Sequence, residues 1–505
     1  MSKEKNDILT HRYLARIVLE AKTPLFAGSG ESSLLSDAIV QRDAYGFPMI
    51  PGTSLAGVLR HAIEDSLNDK EKGKWRSFFG YQDKKDGLGS RVRISSAYLI
   101  LKKDKIADLE NHKELREEFP FFENLPTRQH VRIDHRGTAE DGGLFDNEVV
   151  YKGCRFVFEI ELKGSAEDRE LWEALLKKLN SPAFRIGQGT RKGYGNLSVL
   201  QCKSQIFDLR DQQDFEDYLN YQPSFNAENE ILEKIDITED ENKDYIHYRL
   251  TLIPDDFFIF SKGAGEGEVD NAPVTENIVE YDENGTLKLS ERPYTLIPAS
   301  SIKGAIAHRT AYHYNRLRER FVDKLEPRLG MEILTKLYTG SGNQAVNELF
   351  GLGAGTSWED EVNPKELGLG KDEYEDIGDA RRGRVIIDDI LLPVPDIDNT
   401  KIFNHVAIDR FTGGALDGAL FSEKVSHENE LVINIYLEKR EENDKYKTPN
   451  PQIYQALEEA LCDITHGLLP LGGMTSKGHG MFTGKLEKFE AAKEEKKTVC
   501  DEEKN

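Results

Sequence analysis

The chain has 505 residues, more than one hydrophobic core ordinarily supports and enough for two domains with connections. Hydrophobic residues at 38% and aromatics at 9% exclude a disordered chain, and no apolar run is long enough to span a bilayer. A net charge of -23 excludes an ordinary basic nucleic-acid-binding domain, unless the acid is set apart from the working surface.

The acid is indeed concentrated, in Asp208–Asp244, Glu359–Asp376 and Glu490–Asn505, which read as linker, insertion and tail with solvated side chains. The N-terminus, Met1–Asp7, is charged and no apolar stretch follows it, so no signal peptide is expected and the location is expected to be cytoplasmic. Cys154, Cys202, Cys462 and Cys500 lie far apart without CxxC spacing, which predicts reduced thiols rather than a zinc site.

In chain order, Tyr13, Ala15, Ile17 and Leu19 alternate as a strand with one buried face. Ser54 stands where a helix N-cap would, and Leu55, Val58, Leu59, Ala62 and Ile63 follow with helical period. Arg91–Leu101 reads as a second strand, and Phe156, Phe158, Ile160 and Leu162 as a third. Leu171, Leu175, Leu176 and Leu179 form a second helical stripe, and Asn196–Cys202 a fourth strand. The order is βαββαβ, a ferredoxin-like (RRM-like) α+β unit.

The series then repeats. Tyr248, Leu250 and Leu252 alternate after Ile246, Ile302 opens a helix, Arg384–Leu392 is strand-like, Leu431–Leu437 alternates, and Ile453, Leu457, Ala460 and Ile464 form a helical stripe. Sequence identities support two copies. Ile50-Pro51-Gly-Thr-Ser54-Leu55-Ala-Gly57 recurs as Ile297-Pro298-Ala-Ser-Ser301-Ile302-Lys303-Gly304 (298 − 51 = 247). Ile133-Asp134 recurs as Ile408-Asp409 (409 − 134 = 275), and Leu144-Phe145 as Leu420-Phe421 (420 − 144 = 276). Gly187–Gly195 recurs as Gly472–Gly480 (472 − 187 = 285). Offsets that rise in chain order are those of homologous domains with unequal loops. The domains are placed at 1–205 and 245–490, with an exposed acidic linker at 206–244 and a charged tail at 491–505.

Two motifs carry chemistry. The Gly-rich loops, with Gly187, Gly189, Arg191, Lys192 and Gly193 in one copy and Gly473, Lys477, Gly478 and His479 in the other, allow positive φ and close approach of backbone N–H groups to phosphate. A tight helix-to-strand turn that requires glycine is the plainer alternative. The Pro-x-x-Ser-(Leu/Ile)-x-Gly helix starts offer N-terminal N–H groups to an anion, or are ordinary caps.

The duplicated helix start, the Phe79-Gly80 and Phe350-Gly351 pairs and the terminal Gly-rich loop resemble the RAMP superfamily, most closely the backbone subunits of type III CRISPR effector complexes. A chain with two such domains looks like the fused subunit of the type III-D variants. The resemblance implies two tandem ferredoxin-like RAMP domains with inserted β-hairpin thumbs, near Val131–Tyr151 and Ala407–Val425. It implies guide RNA along the surface, a target RNA paired with that guide, and a complex with other RAMP-type backbone subunits and with large and small subunits. It implies no membrane.

The resemblance further implies that an aspartate between the first strand and first helix promotes target cleavage. Asp37 takes that place in the first copy and Asp270 in the second, each binding Mg2+ or Mn2+ weakly together with RNA phosphates. Asp270 precedes its proline by 28 residues (298 − 270), against 14 for Asp37 (51 − 37), which leaves Glu276 or Asp282 as substitutes. Arg42, Arg60, His61, Arg132, Arg136, His308, Arg309, Arg410 and Lys424 are further candidates for phosphate contact. Asp134 and Asp409 are expected to brace the thumb bases. A non-catalytic scaffold stays open as a second function, and a guide-precursor nuclease using His61 and His308 as a third.

Overall fold

A computed structural model gives the fold and describes residues 9–33, 36–64, 69–82, 87–134, 137–237, 244–263, 265, 267, 269–353, 380–394, 399–427, 430–439, 450–490, 493–498 and 500. Arg136, Glu268, the acidic run 359–376 and the last five residues of the tail lie outside the described residues.

The first repeat runs β1 (His11–Ala21), α1 (Gly52–Glu64), β2 (Val92–Ile94), β3 (Ala97–Leu99), the hairpin β4 (Thr127–Ile133) and β5 (Ala139–Glu148), β6 (Arg155–Gly164), α2 (Arg169–Lys177) and β7 (Leu197–Asp208). Tyr13, Ala15, Ile17 and Leu19 of β1 are buried as their alternation requires, against Leu55 and Leu59 of α1 and Leu175 and Leu176 of α2. The sheet places β1 between β7 and β6, with β2 and β3 beyond β6, and neighbours run antiparallel. That is the strand order of a ferredoxin-like unit.

The described part of the linker is largely exposed, yet it is folded against the first sheet. It folds as α3 (Gln212–Asn220) and β8 (Glu233–Ile235), and β8 pairs with β7. Leu232, Tyr218 and Tyr221 pack with Leu14 and Phe207 on the sheet face opposite the helices. Its aromatic residues, rather than its charges, decide its place.

The second repeat follows with β9 (Tyr245–Pro254), a small hairpin β10 (Val279–Tyr281) and β11 (Leu287–Leu289), α4 (Ala299–Leu317), β12 (Val385–Ile387), the long hairpin β13 (Thr400–Ile408) and β14 (Ala415–Ser426), β15 (Leu431–Glu438), α5 (Pro451–Thr465), β16 (Phe482–Glu490) and β17 (Lys493–Thr498). Its sheet order is β12-β15-β9-β16-β17, which matches β2-β6-β1-β7-β8 of the first sheet.

The two repeats are locked together. The β10–β11 hairpin belongs to the long loop of the second repeat, yet Val279 and Leu287 are buried in the first repeat's core. Val279 N donates to Lys152 O (2.8 Å), Leu287 N to Leu101 O (2.9 Å) and Tyr281 Oη to Ile100 O (2.7 Å). Arg128 of β4 is enclosed between Glu276 and Asp389, and Arg185 pairs with Asp388. The extra loop length ahead of α4 therefore builds the joint.

Two local expectations are corrected. Ser54 and Ser301 lie inside the first helical turn, because the helices begin at Gly52 and Ala299. The capping acceptors come from elsewhere: Ser96 Oγ for Gly52 N (3.2 Å) and Asp389 Oδ1 for Ala299 N (2.8 Å). The cysteines are not all thiols. Cys462 and Cys500 form a disulfide with Cα atoms 5.7 Å apart, while Cys154 and Cys202 are free and buried. Among the described residues, no helix is long and apolar enough to cross a membrane.

Candidate functional site

Each repeat raises one long hairpin over one aspartate loop. β4–β5 and β13–β14 pair over 127–148 and 400–426, with equivalent irregularities after Val131 and Val406. Val131, Ile133 and Leu144 on the first hairpin, and Val406, Ile408 and Leu420 on the second, are exposed apolar side chains at corresponding places. Among the described residues nothing buries these six, so both hairpins present an apolar edge outward.

The aspartate loops dock on these hairpins in the same way. Asp37 N donates to Asp146 Oδ1 (2.7 Å), and Asp146 N donates to Asp37 Oδ2 (3.1 Å). Asp270 N donates to Ser422 Oγ (3.0 Å), while Ser422 N and Ser422 Oγ donate to Asp270 Oδ2 (2.8 and 2.9 Å). Ser422 follows Asp146 by 276, the offset of the neighbouring Leu-Phe pair (422 − 146 = 276). Asp37 and Asp270 thus hold equivalent positions despite unequal loops, and both are exposed. The N–H and hydroxyl of Ser422 hold the Asp270 carboxyl below the usual carboxylate range.

The proposed substitutes for Asp270 have other duties. Glu276 is buried against Arg128 at the joint. Asp282 closes the β10–β11 turn, accepting from Asn284 N (2.9 Å) and Thr286 N (3.0 Å). Asp134 and Asp409 close the hairpin tips rather than the bases: Asp134 Oδ1 accepts from Thr138 N (3.0 Å) and Asp409 Oδ1 from Phe411 N (3.0 Å).

The hairpin roots carry a second duplicated cluster that the sequence reading did not single out. His130 stacks on Phe145 (4.9 Å) and its Nε2 meets Asn147 Oδ1 and Tyr194 Oη; His405 lies against Phe421 (6.0 Å), with its Nε2 and that of His479 both on Glu423. Lys192 Nζ sits 5.2 Å from the Phe145 ring centre, and Lys477 Nζ 5.7 Å from that of Phe421. The repeat of His130 at His405 was the available signal.

The Gly-rich loops take the form of tight turns. Several of their N–H groups are engaged within the chain: Gln188 N on Phe26 O, Lys192 N and Tyr194 N on Gly189 O, Gly473 N on Ile259 O, and Lys477 N and His479 N on Met474 O. Gly187, Gly189 and Gly193 do adopt positive φ, and a Cβ on Gly187 would fall 2.1 Å from Phe26 O. The glycines serve a tight turn, and what reaches outward is Lys192 and Lys477, both exposed. Arg191 bridges the repeats through Gly383 O (2.9 Å), its guanidinium pushed down to about 10 by burial.

The helix starts separate similarly. Asp389 supplies the anion at the N-terminus of α4. Lys303 Nζ donates to Phe350 O (3.1 Å) and is pushed down to about 8 by burial and by Lys192 and Arg191. Arg309 pairs with Asp463, and Arg42 donates to Gly46 O (2.8 Å) and Phe122 O (2.6 Å). Ser54, Gly57 and His61 share one helix face, as do Ser301, Gly304 and His308, and a Cβ on Gly57 or Gly304 would meet nothing within 4 Å. The half-buried Arg60 carbonyl accepts from Trp75, Arg132 lies on the exposed first hairpin, Arg410 is exposed at the second tip, and Lys424 N joins β14 to Asn271 O. The buried side chain of His479 and the glycines Gly473 and Gly478 complete the second loop.

These features define a class: two ferredoxin-like units in tandem, each with an outward β-hairpin above an aspartate loop. A protein-family model of the RAMP superfamily matches residues 18–198 and 279–483, and the chain belongs to that superfamily. It is similar to the CRISPR system Cms endoribonuclease Csm3 of Methanocaldococcus jannaschii, 27% identical over 219 residues, covering 39% of this chain and 83% of the relative. A search of solved structures finds a chain of the cryo-EM structure of the type III-B Cmr-beta bound to cognate target RNA. It is 15% identical with a TM-score of 0.30, covering 37% of this chain and 96% of that one.

Proposed function

We propose that the chain is a guide-RNA-binding backbone subunit of a type III CRISPR ribonucleoprotein and cuts guide-paired target RNA at two places, with Asp37 and Asp270. The carrying observation is the equivalent docking of both aspartates on their hairpins, through Asp146 and Ser422. The similarity to a Csm3 endoribonuclease supports the reaction class. Membership of the superfamily supports assembly with other RAMP-type backbone subunits and with large and small subunits.

RNA carries its own nucleophile, so the protein's task is to splay the target nucleotide into line for attack by the 2′-OH. The apolar hairpin edges are suited to interrupting a duplex, and each aspartate is fixed at a hairpin root, within reach of the interrupted strand. Lys192, Lys477, Gly57, Gly304, His61 and His308 furnish the backbone-reading surface, with sequence read by the guide. Among the described residues, no three His, Cys, Asp or Glu side chains are grouped to hold a metal ion. One carboxylate with RNA phosphates fits weak binding: Asp37 or Asp270 would hold Mg2+ or Mn2+, which stabilises charge on the scissile phosphate. A carboxylate can also take the 2′-OH proton itself.

The test is target cleavage by the reconstituted guide complex with wild type, Asp37→Ala, Asp270→Ala and the double variant. Loss of one distinct cut per single variant, with a 2′,3′-cyclic phosphate and a 5′-OH at the ends, is expected. Unchanged cutting by the double variant would make the chain a scaffold, and a 3′-OH product would reject the 2′-OH mechanism.

A further inference from the structure

The joint between the repeats shows how one repeat receives the repeat before it. Arg191, on the Gly-rich loop of the first repeat, donates through Nε to Gly383 O (2.9 Å) and through Nη2 to Glu438 Oε2 (3.4 Å). Arg185, just ahead of that loop, pairs with Asp388, whose other oxygen accepts from Asn196 Nδ2 (3.0 Å). Tyr245 opposes Glu438 in the β9–β15 ladder. The first repeat therefore meets the second with cations on carboxylates, along one edge of the second sheet.

Strand register finds the same edge on the first repeat. Ile17 opposes Phe158 as Leu250 opposes Ile433, so Lys163 of β6 holds the place of Glu438 and Arg12 of β1 that of Tyr245. Val92 opposes Leu162 as Val385 opposes Leu437, so Ser95 holds the place of Asp388 and Ser90 that of Gly383. Backbone bonds agree: Lys163 N donates to Arg91 O (3.0 Å) as Glu438 N does to Arg384 O (3.2 Å). The two acids that receive Arg185 and Arg191 are thus replaced, by a hydroxyl and by a lysine. A cleft of about 360 Å3 opens here, and Arg12, Ser90, Arg91, Arg93, Glu161 and Lys163 line it. Arg12 and Lys163 oppose each other across β1 and β6, and Lys163 and Arg93 are exposed. Arg91 turns to Asp168 (3.1 Å), while Glu161 accepts from Tyr218 Oη (2.9 Å) and lies 3.9 Å from Arg93. Four cations against these two carboxylates leave an excess of two positive charges (4 − 2 = 2).

We infer that this cleft docks the RAMP-type subunit preceding the chain in its complex, and selects a neighbour that carries a carboxylate where this chain carries Arg191. The inference rests on assembly with other RAMP-type subunits. An interface used head to tail recurs along an array, so the edge that accepts the first repeat inside the chain is presented again at the chain's open end. Inverting its charge changes which neighbour it accepts, because like charges across an interface are costly and opposite ones fix the partner. A second copy of this chain does not match. By the offset of the Gly-rich loops, Ser476 and Pro470 stand where Arg191 and Arg185 stand in the first repeat (191 + 285 = 476; 185 + 285 = 470), and neither supplies a carboxylate.

The test uses the complex isolated through a tag on this chain and reads Lys163 by peptide mass spectrometry. Lysine acetylation is compared between free chain and complex, before and after ribonuclease treatment, and a carbodiimide joins lysines to carboxylates in contact. Several-fold protection of Lys163 that survives ribonuclease is expected, with a bond from Lys163 to an Asp or Glu of another RAMP-type chain. Lys163→Glu, a change at an exposed position, is expected to lose that chain while the cuts assigned to Asp37 and Asp270 persist where target still binds. Equal labelling of free chain and complex would overturn the inference, as would protection lost with ribonuclease, which assigns the cleft to RNA. A bond between isotopically light and heavy copies of this chain would overturn it too. A complex holding no other RAMP-type chain defeats the assembly reading itself, whereas one that holds such a chain with Lys163 unprotected defeats the docking site alone.

Discussion

Asp37 and Asp146 bind each other reciprocally, each backbone N–H donating to the other's carboxylate (2.7 and 3.1 Å). The loop and the hairpin root are therefore tied together, and under the proposed reaction the geometry of the first cut depends on a residue that does no chemistry. Asp146→Ala removes the acceptor of Asp37 N but leaves Asp37 in place. Cutting at the first position is expected to fall by about tenfold or more, since small misplacement of a reacting group is costly, with the second cut unchanged. Mapping both cuts on one labelled target reads this directly.

Arg128 tests the joint. Its removal in Arg128→Ala leaves the buried carboxylates of Glu276 and Asp389 without their partner, a loss on the order of 3–5 kcal/mol. Burial raises the Glu276 carboxyl, although Arg128 opposes that rise. Adding Glu276→Gln and Asp389→Asn to Arg128→Met is expected to restore much of the stability, because no charge is then stranded. Denaturant melts of the two variants decide it.

Lys303 sets a pH dependence. Its folded pKa is about 8 against an ordinary 10.5, so between these values the unfolded chain binds more protons than the folded one. Stability from this group therefore rises as pH goes from about 8 towards 10.5, and below about 8 the fold carries a buried ammonium. Lys303→Met is expected to flatten that rise, measured as the denaturation midpoint across the window. An unchanged slope would reject the assignment.

The glycines separate turn from surface. Gly187→Ala places a Cβ against Phe26 O at a φ of 92° and is expected to cost about 1–3 kcal/mol. Gly57→Ala and Gly304→Ala meet open space within helices and are expected to stabilise by about 0.5–1 kcal/mol. If guide RNA lies close along that helix face, both nonetheless weaken its binding. Melting temperature and filter binding on the same preparations show whether the two effects part.

The Cys462–Cys500 disulfide closes a loop of sequence separation 38. Chain entropy puts its contribution at about 3–4 kcal/mol at most. Reduction, or Cys500→Ser, is expected to lower the unfolding temperature and to free the tail strand for protease attack.

Much of the fold was legible because it rests on periodicity. The alternation in β1, β6, β9 and β15 and the stripes of α2 and α5 specify buried faces, and the duplicated motifs align the repeats. The positions of Asp37 and Asp270 were legible only through the resemblance; their docking partners were not, because Asp146 and Ser422 share no chemistry in sequence. The folding of the linker was not legible, because Asp and Glu outnumber the few aromatics that seat it. Arg191, Arg309 and Lys303 looked like free cations for the same reason: a charge in sequence does not reveal the carbonyl or carboxylate it will meet.

The β10–β11 hairpin also has a consequence for synthesis. The first repeat leaves the ribosome well before Val279 and Leu287 exist, so its hydrophobic core cannot close until the second repeat has begun to emerge. The nascent N-terminal half waits with an open apolar patch, and a fragment ending in the linker would keep that patch permanently. The two homologous units are thus one folding unit, completed from its C-terminal side.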